Sequence, residues 1–584
     1  MVTYADKPWL QHYDSGVPSS LQPYPAIPLH NFLRDTARTK PNHTALITSI
    51  HVPVLGRIHS ELSYRELDSL TDALAAGLIS RGLQKGDRVA IIMPNCAAFA
   101  ISFYGILKAG GVVVATNPTY PAARMQHQIN DSGATVAITL SLFYQTVKQI
   151  QPDTSVQTVI VTNIKEYFPA TGKILFTLVR EKKDGHRIDD LAAGDLWLQD
   201  ALSEHHGQKP AVDVISDDMC IYQYTGGTTG TPKAAMSTHQ ALVANTLQMS
   251  AVLQPQEDEI FLGAIPLFHV FGMVAVLSKA VYVGAKIALV INARDIEDLL
   301  GVLHKFKPTI FHGVPALYNR LNEHPRIRSG EISLKSIRAC VSGSTPLPPA
   351  VKREFERLSG GKLLEGFGMS EAPTASHVNP LNGENREGSV GMPIPDMEIR
   401  IVSLEDEVTD VPVGETGELV MSGPQLMQGY HNMPDETALA LRPKNGKTWL
   451  YTGDIAYMDE DGYFYIVDRK KDMVPIGGFN VYPANVEKVL KEHPAVLEVG
   501  VAGIPHPTKT GQQALKAWIV LKDGASVTQQ ELIEHCTIYL ARFEVPNRYA
   551  FIDALPKSDV LKTLRRELLQ MEMAERARAN AEST

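Results

Sequence analysis

Between residues 60 and 370, short apolar runs recur, and stretches whose leucines return at helical spacing separate them. This alternation limits the fold more than any other feature of the chain. The segment LSYRELDSLTDALAAGLISRGLQKGDRVAIIMPN sets the pattern. Ser63-x-x-Glu66 is a capping box. Leu67, Leu70, Leu74 and Leu78 repeat at helical spacing. A turn follows Gly82, and RVAIIM reads as a buried strand. A helix over 97–109 and the strands GVVVATN and ATVAITL come next, then KIALVI, the helical ARDIEDLLGVLHKFK, TIFHGV, IRACVSGS and KLLEGFG. Strands separated by helices pack as parallel sheets with helices on both faces, so the expected class is α/β.

A chain of 584 residues is too long for one core. Near residue 468 the composition changes, where GYFYIVDRKKDMVPIGGFNVYP mixes charges, glycines and prolines. Beyond it come one helix (ANVEKVLKEH), two strands (VLEVGVAGI and LKAWIVLKD), a helix from Thr528 and a last helical, solvated stretch. The expected division is a large N-terminal domain over 1–468 and a small, mobile α+β C-terminal domain over 469–584, with a hinge at 468–471.

The formal net charge of −9 supplies no basic footprint for nucleic acid. The four cysteines are far apart and form no C-x-x-C pair, so neither a zinc site nor a disulfide framework is expected. The N-terminal stretch has no apolar signal region. The longest apolar run, 273–291, is broken by Lys279 and Lys286, short of the ~18 uncharged residues a span requires. A cytoplasmic protein is expected. KILFTLVREKK (173–183) adds peripheral membrane contact: Ile174, Leu175, Leu178 and Val179 fall at helical spacing, flanked by lysines, Arg180 and Glu181.

YTGGTTGTPKAAM (224–236) holds glycines, threonines and a lysine but almost nothing that fills a core. Glycine lets backbone approach a ligand closely, and successive N–H groups of such a turn bind anions. The loop reads as a phosphate cradle. It is not the G-x-x-x-x-G-K-[ST] loop, because Pro232 precedes Lys233 and Ala234 follows it. The strand MCIYQY stands before it. Ser237-x-x-Gln240 after it reads as the capping box of a helix, so a strand-to-helix loop is expected.

Other segments stand in a fixed order around this loop. AIPLFHVFGM holds His269, VSGSTPLP spans 341–348, LEGFGMSE ends in Glu371 and YTGD ends in Asp454. VDRKKDM holds Arg469 and Lys471, GGFNVYPANVE spans 477–487, and LPKSDVLKTLRRE holds Lys562. Together they resemble the adenylate-forming acyl-CoA synthetase superfamily across nearly the whole chain. With the opening KPWL, they are most similar to its bacterial long-chain fatty acid–CoA ligases.

The resemblance implies a two-step reaction. A fatty acid carboxylate attacks the α-phosphorus of ATP to give acyl-adenylate and pyrophosphate. The thiol of coenzyme A then displaces AMP. It implies ATP or AMP binding by Thr225, Gly226, Gly227, Thr228, Thr229, Gly230 and Lys233, by Gly343 and Ser344, and by Glu365, Gly366, Phe367, Gly368, Met369 and Ser370. Phe367 would stack on adenine, and Asp454 and Arg469 would hold the ribose. Thr228 and Glu371 are the implied Mg2+-proximal residues. Lys562, His269 and Lys233 are the implied catalytic residues, with Lys562 bridging the acyl carboxylate and the α-phosphate as a point charge. Lys471 matches the hinge. Gly477, Gly478 and Phe479 match the coenzyme A channel, and Met273, Gly313 and Val314 the acyl pocket.

Three residues depart from the family pattern: Ala234 after the loop lysine, Leu561 where glycine precedes Lys562, and Glu544 in FEVP. Within the superfamily, a ligase for medium-chain or aryl acids and an enzyme that loads a carrier protein remain open. Outside it, so does a non-catalytic acyl or adenylate binder.

Overall fold

The computed structural model describes residues 2–52, 55–225, 232–476, 479–506, 513–558 and 562–582. The chain forms two compact units. The larger contains Leu10–Glu398 and Ser422–Leu450; the smaller contains Met1–Trp9, Ile399–Met421 and Tyr451–Thr584.

The larger unit is an α/β structure. Its main sheet runs in the order Gly429–Tyr430, Lys233–Thr238, Met219–Thr225, Val112–Thr116, Arg88–Ile92, Val136–Leu140, Thr158–Thr162 and Leu196–Trp197. The strands from Met219–Thr225 onward are parallel, and the first two are antiparallel additions at one edge. The inner strands Arg88–Ile92 and Val112–Thr116 are buried and apolar apart from Arg88 and Thr116 at their ends, because both faces are covered. The capping box at Ser63 and Glu66 forms and starts the helix Tyr64–Ser80. Leu67, Leu74 and Leu78 are buried along that helix and Leu70 half-buried.

A second sheet orders Ile260–Gly263, Lys286–Leu289, Thr44–Val52 and Gly56–Ser63. A third orders Ala339–Ser342, Lys362–Met369, Ala372–Val378 and Met392–Pro393. TIFHGV, expected as a strand, makes single parallel bridges instead. Ile310 bridges Phe261 and Ala339, and Gly313 bridges Ser342. The helix Pro315–Glu323 begins directly after it and leaves no length for a strand.

The smaller unit holds most of the strands Glu398–Val402, Gly417–Ser422 and Lys447–Met458 and all of Phe464–Arg469. A separate three-stranded sheet of Val496–Pro505, Gln513–Leu521 and Arg548–Phe551 carries the helices Pro483–Lys491 and Gln529–Tyr539. Thr528 and Glu531 cap the latter reciprocally. Trp9, from the opening KPWL, is buried edge-on against Phe464, their rings 6.1 Å apart. The last helix, Arg565–Glu582, is not simply solvated as expected. Leu568 packs with Trp518 and Leu555, and Glu572 accepts a 2.6 Å bond from buried Lys516.

The segment 173–183 is helical to Arg180, with a π-turn over Phe176–Arg180, and then turns. Leu178 and Val179 are 76% and 67% exposed, and Ile174 and Leu175 are exposed beside them. Phe176 points inward, against Phe168 and His186. Among the described residues no helix is long and apolar enough to cross a membrane.

Candidate active site

The phosphate-loop candidate is a hairpin loop, not the strand-to-helix loop expected. Met219–Thr225 leads into it and Lys233–Thr238 returns antiparallel, with Thr225 opposite Lys233. The Ser237 capping box does not form. Ser237 is buried inside the returning strand, and Thr238 caps the helix His239–Leu253 by accepting from Ala241 N. The reason is the Ala234–Ala235 pair, which is fully buried and extends the sheet by one strand before the helix can start. Gly226, Gly227, Thr228, Thr229 and Gly230 lie outside the described residues.

Lys233 ion-pairs with Glu436 and lies 5.3 Å from the centre of the Tyr430 ring. The Tyr430 hydroxyl donates to Glu371 Oε1 at 2.7 Å. Tyr430 is held there because Gly429–Tyr430 pairs with Ala235–Met236, and Met427 N donates to the Glu371 carbonyl. The lysine and carboxylate singled out from sequence therefore share a network through Tyr430 and Glu436. Nothing in the sequence marks those two among its other tyrosines and glutamates.

No cluster of three or more His, Cys, Asp or Glu side chains stands ready for a metal among the described residues. Mg2+ does not require one, since it takes water and phosphate oxygens with one or two carboxylates. Half-buried Glu371, steadied by Tyr430, fits that donor set.

The LEGFGMSE segment lies on Lys362–Met369, which turns back as Ala372–Val378. The turn is tight: a Cβ on Gly368 would stand 1.8 Å from the Thr374 carbonyl, so only glycine fits. Buried Asn245 clamps the return strand, accepting from Thr374 N at 2.6 Å and donating to the Ala375 carbonyl at 2.9 Å. Phe367 is half-buried, edge-on to His377. The Glu365 carboxyl accepts from Leu347 N at 2.9 Å, which ties this segment to VSGSTPLP, and burial pushes its pKa up to about 7. In that second segment Ser344 has φ +77°, a conformation uncommon for a residue with a Cβ and concentrated at functional sites.

His269 is tied into its own turn. Its Nδ1 accepts from Phe271 N at 3.2 Å and caps the short helix Val270–Gly272. Asn95, which no motif marks, holds the approach to it through Gly263, Ile265 and Leu267. Buried Met273 opens a π-turn that ends at Ser278. Next to it, buried Lys279 contacts His312 Nε2 at 3.0 Å, beside Gly313 and Val314. Burial lowers the Lys279 pKa to about 7.

In the smaller unit, Asp454 and Arg469 stand opposite each other on paired strands, joined at 2.8 Å. Asp454 is buried, and its Oδ2 has no hydrogen-bond partner among the described residues. Lys562 and Lys471 gather at this pair. Lys562 is an exposed residue overall, yet its ammonium is desolvated. Desolvation first, then the Arg469 cation, lower its pKa. Desolvation and Arg469, with Lys562 contributing, bring Lys471 down to about 8. Phe479 is 55% exposed and stacks flat on Phe543, ring centres 4.4 Å apart. Gly477 and Gly478 lie outside the described residues, as does Leu561 among the departures. Ala234 is a buried strand residue. Glu544 caps its own turn by accepting from Ala541 N.

A strand pair around the Gly/Thr segment in an α/β unit, with a buried aspartate bonded to an arginine, and two lysines, in a smaller unit, is the setting in which the family can be assigned. The chain belongs to the AMP-binding enzyme family: the family model matches residues 33–431, and that of the AMP-binding enzyme C-terminal domain matches 485–562. A long-chain-fatty-acid–CoA ligase of Bacillus subtilis is 40% identical over 574 residues, covering 97% of this chain and 98% of its own. One from Escherichia coli is 36% identical over 574 residues, covering 96% and 98%. Among solved structures, an anthranilate CoA ligase in complex with anthranoyl-AMP matches with a TM-score of 0.81 at 25% identity, covering 99% of this chain and 100% of its own.

Proposed function

We propose that the chain is an ATP-dependent long-chain fatty acid–CoA ligase that works through an acyl-adenylate and releases AMP and pyrophosphate. The observation that carries this reading is the buried Asp454 oxygen without a partner among the described residues, next to Arg469 and the gathered lysines. A buried acceptor in that state is costly unless a donor reaches it, and a ribose hydroxyl is such a donor.

In this reading Asp454 and Arg469 hold the ribose and Phe367 stacks on adenine. Lys233 and the Gly/Thr loop neutralise the outer phosphates. Mg2+, held by the phosphates with Glu371 and Thr228, would supply further charge neutralisation. Lys562 places its ammonium between the acyl carboxylate and the α-phosphate, where charge builds up as the oxygen attacks. The acyl chain lies along Met273, Gly313 and Val314, near His269. Rotation about Lys471, at the border of domains 1–468 and 469–584, withdraws Lys562 and brings Gly477, Gly478 and Phe479 to the thiol of coenzyme A.

The test is ATP–pyrophosphate exchange that requires Mg2+ and a fatty acid, followed by acyl-CoA formation across acids from butyrate to stearate, with cinnamate. Exchange that runs equally well without acid would end the carboxylate-activation reading. The match to an anthranilate CoA ligase gives an aryl acid as the second reading, and preference for cinnamate would select it.

The exposed Ile174, Leu175, Leu178 and Val179 support peripheral contact of this cytoplasmic enzyme with a lipid surface, which suits an acyl substrate. Lys173 and Arg180 are already paired with Glu166 and Asp184, so the apolar side chains carry the contact. Leu178→Glu is expected to abolish vesicle flotation. Phe176→Glu would disrupt packing instead, since Phe176 faces inward.

A further inference from the structure

The side-chain anchors change from one partner set to another across Lys471. Before it, Lys470 is bonded to Glu418 at 2.8 Å and to Glu407, and its N–H reaches the Gly453 carbonyl at 2.9 Å. After it, Asp472 is bonded to Arg565 at 2.9 Å. Arg565 lies three residues beyond Lys562 and opens the last helix. It also forks onto Glu487 at 2.9 and 3.1 Å. These partners all lie on the C-terminal side of Lys471.

One carboxylate breaks that division. Asp468, buried at the end of Phe464–Arg469, precedes Lys471, yet both its oxygens accept from beyond it. Oδ1 takes Arg565 Nη1 at 3.2 Å, and Oδ2 takes Ala484 N at 2.8 Å at the start of the helix Pro483–Lys491. A turn about Lys471 carries Arg565, Asp472, Glu487 and Ala484 together and pulls them from Asp468. Bonds from an ionised carboxylate to a guanidinium and a backbone N–H are among the stronger ones in a protein.

We propose that Asp468 is a positioning residue, a latch whose bonds to Arg565 and Ala484 across Lys471 hold the arrangement that presents Lys562 beside Asp454 and Arg469, and whose release precedes the thioester step. The inference rests on the two-conformation reading above. It adds the contact that sets the balance between the two conformations.

Asp468→Asn removes the charge and turns one acceptor into a donor. Both half-reactions are measured on the full chain: ATP–pyrophosphate exchange for the first, and single turnover of preformed acyl-adenylate with coenzyme A for the second. Exchange is expected to fall about tenfold while the thioester step holds or quickens, because the presenting arrangement loses population. Asp472→Asn is the control. Its bond to Arg565 does not cross Lys471, so both halves should change alike. Equal change of both halves in Asp468→Asn overturns the latch, as does a selective loss in Asp472→Asn as well. Lys471→Pro tests the underlying reading separately. If it separates the half-reactions and Asp468→Asn does not, the latch fails and the hinge stands. If it leaves both untouched, the hinge reading fails and the latch with it.

Discussion

In the larger unit Lys233 and Glu371 each meet a protein partner, whereas in the smaller unit one buried oxygen of Asp454 has none among the described residues. Lys233 has Glu436, and Glu371 has Tyr430. Asp454 keeps a buried oxygen without a partner among the described residues, while desolvation and then the Arg469 cation lower the pKa of Lys471 and Lys562. A network that closes on itself tolerates the loss of one member. A cluster with an unmet acceptor and crowded cations is built around a group that brings donors and negative charge. Substitutions in the smaller unit should therefore be the more severe.

Lys562→Ala is the harshest test of that contrast. Adenylation is expected to fall at least about a thousandfold, since a charge aimed at the transition state is lost. The thioester step from preformed acyl-adenylate should change little. Equal loss in both halves would show that Lys562 acts through the fold. Lys471→Pro comes next. Proline locks φ near −65°, so a residue that must turn is held. Acyl-CoA formation should fall about a hundredfold in rapid-quench assays while adenylation stays near normal. Lys471→Ala, with its backbone free, should be mild.

Effects in the larger unit should be smaller. Tyr430→Phe removes a hydrogen bond to a carboxylate, and the Mg2+ concentration for half-maximal exchange should rise about fivefold. An unchanged requirement would separate Glu371 from the metal.

A pH effect belongs to the smaller unit. In the proposed role Lys562 acts as a cation, so adenylation should decline as pH rises through its lowered pKa, earlier than an ordinary lysine would dictate. Lys471→Met removes a repelling charge. That should move the alkaline limb to higher pH. A limb that moved down would reverse the assigned sign.

Glu436→Gln should be the smallest change. The Lys233–Glu436 pair is partly exposed and worth little. Freeing Lys233 should lower the KM for ATP about twofold, and a large loss of activity would instead make Glu436 part of the working site.

The order of strands and helices was legible from residues 60 to 370 because burial on one side leaves a period in the sequence. Ser63 and Glu66 cap where they should, and Arg88–Ile92 and Val136–Leu140 are strands. The ordered motifs sufficed for the family. What the period cannot report is who faces whom. It could not tell that Lys233–Thr238 adds a strand before its helix, because buried alanines suit either element. It set Ile174, Leu175, Leu178 and Val179 on one face, and they are exposed, but it could not report that Phe176 among them packs inward against Phe168 and His186. Tyr430, Asn245, Asn95 and the Asp468–Arg565 bond join residues far apart in the chain, and only the tertiary structure brings them together. The physical reason is that local sequence sets which groups are buried and which turns are possible. The partner a buried charge finds depends on how separate segments pack, and no local pattern encodes that distance.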